Sequence, residues 1–472
     1  MNATRTVILG VSVLTLAGCV NLAPVYEPGA PPIPVQLPVE AASSTSAAAL
    51  HWEDVVVSAP LRGLIATALA ENRDLQVVAA NVRVARAQLG SARSGFFPRV
   101  GADASVQEGD TFEGAASASQ SFANSASAGI GVTAWELDFF GRIANTQAAA
   151  RESYLASEDG QRAARITLVA TLCEAWLQLA ADKELLALAE ETVRSQSESF
   201  DLTRALLEAG AANELDVRRA SASVQTARAQ AAQFQALVRQ DLNLLRFLVG
   251  ADLPEGIADF AALSPAPLVT EIPVGASSEI LLARPDLMAA ERQLRAAYAN
   301  IGAARAAYFP SISLTGTAGY VSADLSDLVG GDGTGGWRFG PSLSLPIFDG
   351  GARRSNLAST VATRDAALAS YGRSIQSAFR ETADALAVAA TIDTRLSALQ
   401  QLAEDTDITL SLSEERFKTG IDDYLAVLDA QREYYSGRQQ LIAARLDRGR
   451  NTVALYRALG NWSNSPERAP TP

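Results

Sequence analysis

The 472-residue chain contains one histidine, His51, and two cysteines, Cys19 and Cys173. Imidazole and thiolate cages for metals, and most acid–base or nucleophilic machinery, need more of these residues than that. No HExxH, P-loop or GxSxG nucleophile sequence occurs. The carboxylates fall mostly among basic partners in helical stretches, where they read as solvated faces. Gly331-Asp332-Gly333-Thr334-Gly335-Gly336 fits the letters of a dinucleotide fingerprint. That motif needs a strand before it and a helix after it, and here Trp337 opens a further alternating strand, so an exposed loop is expected instead. No catalytic residue, resident metal or cofactor is expected.

The residue with the clearest chemistry is Cys19. Arg5 precedes an apolar run, Val7 to Ala17, which is too short to span a bilayer and ends Leu16-Ala17-Gly18-Cys19. Small residues before a cysteine suit a lipoprotein signal peptidase, which cleaves after the thiol has been diacylated. The alternative is an ordinary secretory leader that happens to contain a cysteine. Val20 follows, where an aspartate would signal inner-membrane retention, so the outer membrane is favoured. Cys173, in a long helical stretch beside Trp176, reads as a packed thiol. A net charge of −13 argues against a nucleic-acid binder, which needs a basic face.

The elements that position these residues repeat. Leu89 to Pro98 (LGSARSGFFP) returns 212 residues later as Ile301 to Pro310 (IGAARAAYFP), and Gly210 returns as Gly420. Pro254, Pro265, Pro267 and Pro273 crowd the link between the copies, and a proline-rich leader runs from Pro24 to Pro38. Each copy reads as a helix, two strands, a very long helix, a tight turn and a second long helix. Val100, Ala102, Ala104 and Val106 alternate with small or polar residues, as do Ala128, Ile130, Val132 and Ala134. The same alternation marks Ile312, Leu314, Gly316 and Ala318, then Trp337, Phe339, Leu343 and Leu345. Strands of about ten residues cross a bilayer when tilted. No later segment reads as a spanning helix, so a membrane crossing has to be made by strands. Four strands cannot close a barrel alone, which implies oligomerisation; three copies give twelve.

No proline occurs between Pro98 and Pro254 or between Pro346 and Pro466. Arg142 to Ala209 and Ala352 to Thr419 each run for 68 residues, roughly 100 Å as helix. Helices of that length pack as bundles or coiled coils. After Gly210, Val217, Val224, Ala231, Val238 and Leu245 recur every seventh residue. Ala220, Ala227 and Phe234 stand between them, and Asp241 breaks that second row. A plain coiled-coil rod shows the same periodicity; only the attached strands argue for a tube.

Several motifs in order carry a family resemblance: Cys19 to Tyr26 (CVNLAPVY), Trp135 to Arg142 (WELDFFGR) and Arg284 to Leu287 (RPDL). Leu345 to Gly351 (LPIFDGG), Lys418 to Leu425 (KTGIDDYL) and Leu428 to Arg432 (LDAQR) continue it. Over nearly the whole mature chain the sequence resembles the outer membrane factor (outer membrane efflux protein) family of tripartite efflux pumps, in its NodT-type lipoprotein branch with the TolC-like fold. The resemblance implies a mixed fold, a membrane β-barrel continued by a long α-helical barrel. It implies an internal two-fold repeat, four transmembrane strands per chain and a homotrimer with a 12-stranded barrel. The implied function is a passive exit duct across the outer membrane and periplasm. Its implied partners are a periplasmic adaptor (membrane fusion protein), an inner-membrane pump of the RND type, and outer-membrane lipid.

Within that family, residues after the second turn form the periplasmic constriction, which points to Leu425, Asp429 and Arg432 here. Asp429 and Arg432 also stand three apart on one helix and equally fit a solvated local pair. Arg219 stands 210 residues before Asp429, so the two copies differ in charge there. Gly210 and Gly420 are the expected tip turns. Asp422 and Asp423 either add to an acidic entrance or cap the next helix. The expected organisation is a signal peptide (1–18), a lipid-anchored segment with acyl chains such as palmitate on Cys19 (19–60), a first efflux repeat (61–250, strands about 99–107 and 126–137), and a linker (251–280). A second repeat (281–460, strands about 311–322 and 337–347) and a tail (461–472) follow. The competing reading is a structural coiled-coil lipoprotein without channel activity. A soft-metal lining is not indicated by a chain with two methionines and one histidine.

Overall fold

The computed structural model describes residues 20–37, 51–108, 125–269 and 278–459; Cys19, the leader before it and the 461–472 tail lie outside them. In chain order the main elements are α1 (Ala59–Glu71), α2 (Arg73–Ser94), β1 (Val100–Gln107), β2 (Ser125–Leu137), α3 (Arg142–Glu208) and α4 (Glu214–Val249). Then come α5 (Pro285–Ala306), β3 (Ser311–Ser322), β4 (Thr334–Ser344), α6 (Ala352–Lys418) and α7 (Tyr424–Leu459). Both α3 and α6 have 67 residues, and both α4 and α7 have 36. The chain divides into a sheet unit (1–30, 82–157, 290–371) and a helical unit (31–81, 158–289, 372–472).

In the sheet unit the four strands pair antiparallel in the order β1-β2-β3-β4. Register sorts the side chains onto two faces. Val100, Val132, Gly316 and Phe339 are level with one another, as are Ala102, Ile130, Ala318 and Trp337. The opposite face carries the rows Gly101–Gly131–Thr317–Arg338 and Asp103–Gly129–Gly319–Gly336. One face is therefore apolar and the other small or polar, and Ile130, Tyr320, Trp337, Phe339 and Leu343 on the apolar face are exposed.

Two details differ from the sequence expectation. The alternation of β2 does not run through Ala134: a bulge between Val132 and Trp135 places that residue at φ 47°. The extra residue flips the parity, so Trp135 and Leu137 pair with Leu314 and Ile312 on the apolar face. Strand β4 spans 334–344 rather than 337–347. Thr334 and Gly335 already pair with Val321 and Tyr320, while Pro346, which has no N–H, ends the ladder before Leu345. The loop before β4 holds a short helix, Leu325–Gly330.

Two family motifs act as strand-to-helix turns. After β2, the Asp138 carboxylate accepts the Ala144 N–H at 2.7 Å, capping α3, and Arg142 donates to Glu136 at 2.8 Å. After β4, Asp349 accepts the N–H groups of Gly351 and Arg353, each at 3.0 Å, at the start of α6. Residues 20–30 lie along α5: the Val20 N–H donates to the Phe139 carbonyl at 3.2 Å, and the Tyr26 hydroxyl to Glu291 at 3.1 Å.

The core of the helical unit gathers Trp176, Leu172, Leu177 and Leu179 of α3 with Leu61 and Ile65 of α1, Leu245 of α4 and Tyr456 of α7. Cys173 is packed there, and burial pushes its thiol up to about 12. The seven-residue seam of α4 is its inner stripe, with Ala220, Val224, Ala227, Asp241 and Leu245 buried. Against expectation, α3 does contain an 18-residue stretch apolar enough to cross a membrane, but more than half of it is buried in the protein, as in the core helix of a bundle. Arg284 of the RPDL motif is buried, bidentate on Asp286 at 3.0 and 2.8 Å, and also reaches Glu381 at 3.3 Å.

Candidate functional site

The two helical hairpins of the helical unit turn on the same backbone device. At the end of α3, the N–H of Ala211 donates to Leu206 O (2.8 Å) and that of Gly210 to Leu207 O (2.9 Å). At the end of α6, Ile421 donates to Arg416 O (2.9 Å) and Gly420 to Phe417 O (3.0 Å). These paired bonds close a helix when the residue past its end adopts a left-handed conformation, and Gly210 and Gly420 do so at φ 75° and 74°. Three residues on, Asn213 accepts the Asp216 N–H (3.0 Å) and Asp423 accepts the Ala426 N–H (3.2 Å). Asp423 is therefore a helix cap. Asp422 instead takes a bidentate pair from Arg416, at 2.6 and 2.8 Å, and that guanidinium holds its carboxyl below the usual range.

Beyond the second turn, α7 sorts its residues by face. Tyr424, Val427, Leu428 and Gln431 point inward, and Tyr424 and Leu428 pack with Ala220 of α4 and with Phe200 and Phe417. Leu425, Asp429 and Arg432 form an outward stripe, which 3.6 residues per turn places on one side of the helix. Leu425 is 43% exposed, and the side chains of Asp429 and Arg432 are 60% and 68% exposed. Asp429 and Arg432 lie 3.5 Å apart, a solvated pair within one helix. The structure thus brings together all three residues expected at the constriction. Sequence reasoning missed Arg416, whose partner lies across the turn, and Gln431, which looks like one more polar surface residue until the inward stripe is known. Among the described residues no group of three or more His, Cys, Asp or Glu side chains converges as a metal site would require.

The sequence profile of the outer membrane efflux protein family matches residues 64–251 and 276–461. The chain belongs to that family. It is 40% identical over 459 residues to the probable efflux pump outer membrane protein TtgC of Pseudomonas putida, covering 96% of this chain and 94% of the relative. To outer membrane protein OprJ of Pseudomonas aeruginosa it is also 40% identical, over 96% of this chain and 95% of the relative. Among solved structures, the open state of the MtrE outer membrane channel of Neisseria gonorrhoeae superposes with a TM-score of 0.83 at 33% identity, covering 93% of this chain and 98% of that one. The protein is thus an outer-membrane efflux channel that reaches into the periplasm, and its fold is of the TolC-like mixed type with a helical barrel.

Proposed function

We propose that three copies of the chain close one 12-stranded barrel, four transmembrane strands from each, and that the channel is a passive duct completed by an adaptor and an RND-type inner-membrane pump. The observation that carries this is the sheet itself. Its apolar face is exposed and its outer strands, β1 and β4, are each paired on one side only among the described residues. Open edges are untenable in lipid, and pairing β4 of one copy with β1 of the next removes them all at once. The two matches to the family profile support a duplicated unit, with the two halves related as repeats. Cys19 carries the lipid anchor, and the Gly210 and Gly420 turns form the periplasmic tip. Leu425, Asp429 and Arg432 line its constriction, because three copies bring three identical outward stripes around one axis. The duct hydrolyses nothing and needs no cofactor beyond the covalent lipid.

The test is planar-bilayer recording on the detergent-extracted, lipidated protein, with its oligomeric state measured alongside. A trimer with discrete conductance steps supports the proposal, and Asp429→Ala and Arg432→Ala are expected to raise single-channel conductance. A monomer without conductance leaves the structural-lipoprotein reading in its place. Unchanged conductance in both variants removes the constriction from these residues.

A further inference from the structure

The inward stripe of α7 contains one polar residue that the packing does not require. Gln431 is 5% exposed and sits between Leu428 and the body of the helical unit, back to back with Asp429 and Arg432. Its Nε2 donates to the hydroxyls of Ser195 (3.4 Å) and Ser199 (3.3 Å), one turn apart on α3. Both serine hydroxyl protons are already committed, Ser199 to the Ser195 carbonyl (3.0 Å) and Ser195 to Glu414 of α6 (3.4 Å). The serine oxygens are therefore free to accept from the amide. The amide oxygen, Gln431 Oε1, is buried without a partner. Gln431 of α7 thus joins α3 directly and α6 by way of Ser195, all through long hydrogen bonds.

We propose that Gln431, with Ser195 and Ser199, is a positioning clip that sets the rotation of α7 and so the direction of the Leu425, Asp429 and Arg432 stripe. This rests on the constriction reading above, with the clip made in the constricted channel. Rotating α7 about its axis to move the stripe carries Gln431 off the two serines. A leucine at the same place gains only from burial and tightens the inward stripe. A glutamine with long bonds and one unsatisfied acceptor makes the same contact easy to leave, because a half-satisfied buried amide is held less firmly than an apolar side chain. The clip holds α7 in place at rest and yields on opening.

The two ways of breaking the clip are expected to move the channel in opposite directions. In Ser195→Ala/Ser199→Ala the amide stays buried with no acceptor, which penalises the clipped state. Open probability in planar bilayers is expected to rise roughly five-fold, the size of one net hydrogen bond. In Gln431→Leu the polar group itself is gone and the stripe is apolar throughout, so open probability is expected to stay at or fall below wild type. A purely structural role for these residues predicts the same sign for both. The clip is overturned if the double alanine variant does not exceed wild type, or if Gln431→Leu rises with it. Wild-type protein without channel steps fails the reading beneath. Raised conductance in Asp429→Ala and Arg432→Ala with no response from the clip variants fails the clip alone.

Discussion

Replacing Tyr26 with alanine is expected to release residues 20–30 from the sheet unit. The ring of Tyr26 stands edge-on to Tyr298 with centroids 5.4 Å apart, and the Arg295 guanidinium lies 4.4 Å above it. Its hydroxyl donates to Glu291 at 3.1 Å, and burial with the nearby Glu291 charge keeps the phenol protonated by raising its pKa. The aromatic pair contributes about 0.5–1.5 kcal/mol and the cation–π contact about 0.5–1 kcal/mol. A hydrogen bond to a charged acceptor contributes about 1.5 kcal/mol at the low end. The low end applies because Glu291 also holds Arg295 at 2.6 Å and is not orphaned by the change. Together these make about 2.5–4 kcal/mol, or roughly 70- to 900-fold in the local opening constant. Tyr26→Phe removes the hydroxyl alone and is expected to cost roughly ten-fold. Hydrogen exchange read by mass spectrometry on peptides covering residues 20–30 reports this directly. The remaining ties, Val20 to Phe139, Arg305 to the Leu22 carbonyl at 3.1 Å and the Tyr298 hydroxyl to the Glu27 carbonyl at 3.3 Å, are too few to hold the segment once the ring is gone. Exchange unchanged in Tyr26→Ala, or equally fast in both variants, would refute the assignment of the hold to the ring. If Cys19 carries the anchor, the same release lengthens the free tether between lipid and channel without removing either.

Two further outcomes follow from the structure. Burial and the neighbouring Asp182 push the Asp241 carboxyl up to about 7, so the folded protein holds a proton that the unfolded chain loses from about pH 4 upward. Stability is therefore expected to fall as pH rises from about 4 to about 7. Asp241→Asn is expected to flatten the slope in thermal melts. Deleting Ala134 removes the extra residue of β2, and plain alternation then keeps Trp135 and Leu137 on the apolar face with Val132, and Glu136 on the polar one. Retained conductance and a retained oligomer on gel filtration are the expected result, and loss of both would show that the bulge does more than correct the register.

What was legible in the chain follows the range of the interactions. Alternation marked all four strands because one face of each is apolar. The long proline-free runs marked α3 and α6, and the glycines marked both turns, since only a left-handed residue closes a helix in that way. Interactions that join distant positions left no trace. Tyr26 meets Glu291 and Tyr298 more than 260 residues away, and Gln431 meets Ser195 and Ser199 across more than 230. The bulge was hidden for a different reason. Ala134 is not the residue type that signals a positive φ, and the one trace of the bulge is that Ala134 and Trp135 stand side by side, shifting the apolar positions from even to odd. Asp241 was visible as a break in the seam, but its partner Asp182 is on another helix.

The two tips show how a single backbone plan carries unequal chemistry. Their closing hydrogen bonds agree to within 0.1 Å, and each next helix is capped by a side chain three residues past the glycine. The turn is therefore held by the glycine and the cap, and the remaining positions are free to differ. They do: Leu206 and Ala212 in the first turn stand where Arg416 and Asp422 form their bidentate pair in the second, and Arg219 stands where Asp429 does. Charge stands at both tips, as Arg204–Glu208, Arg218–Glu214 and Arg219–Asp216 at the first, each pair within one helix, and as the turn-spanning Arg416–Asp422 pair at the second. Exchanging the pair at 206 and 212 for that at 416 and 422 tests this division. With backbone and cap unchanged, the swap is expected to leave the melting temperature nearly unchanged, since exposed ion pairs contribute little, while shifting the ion selectivity of the channel.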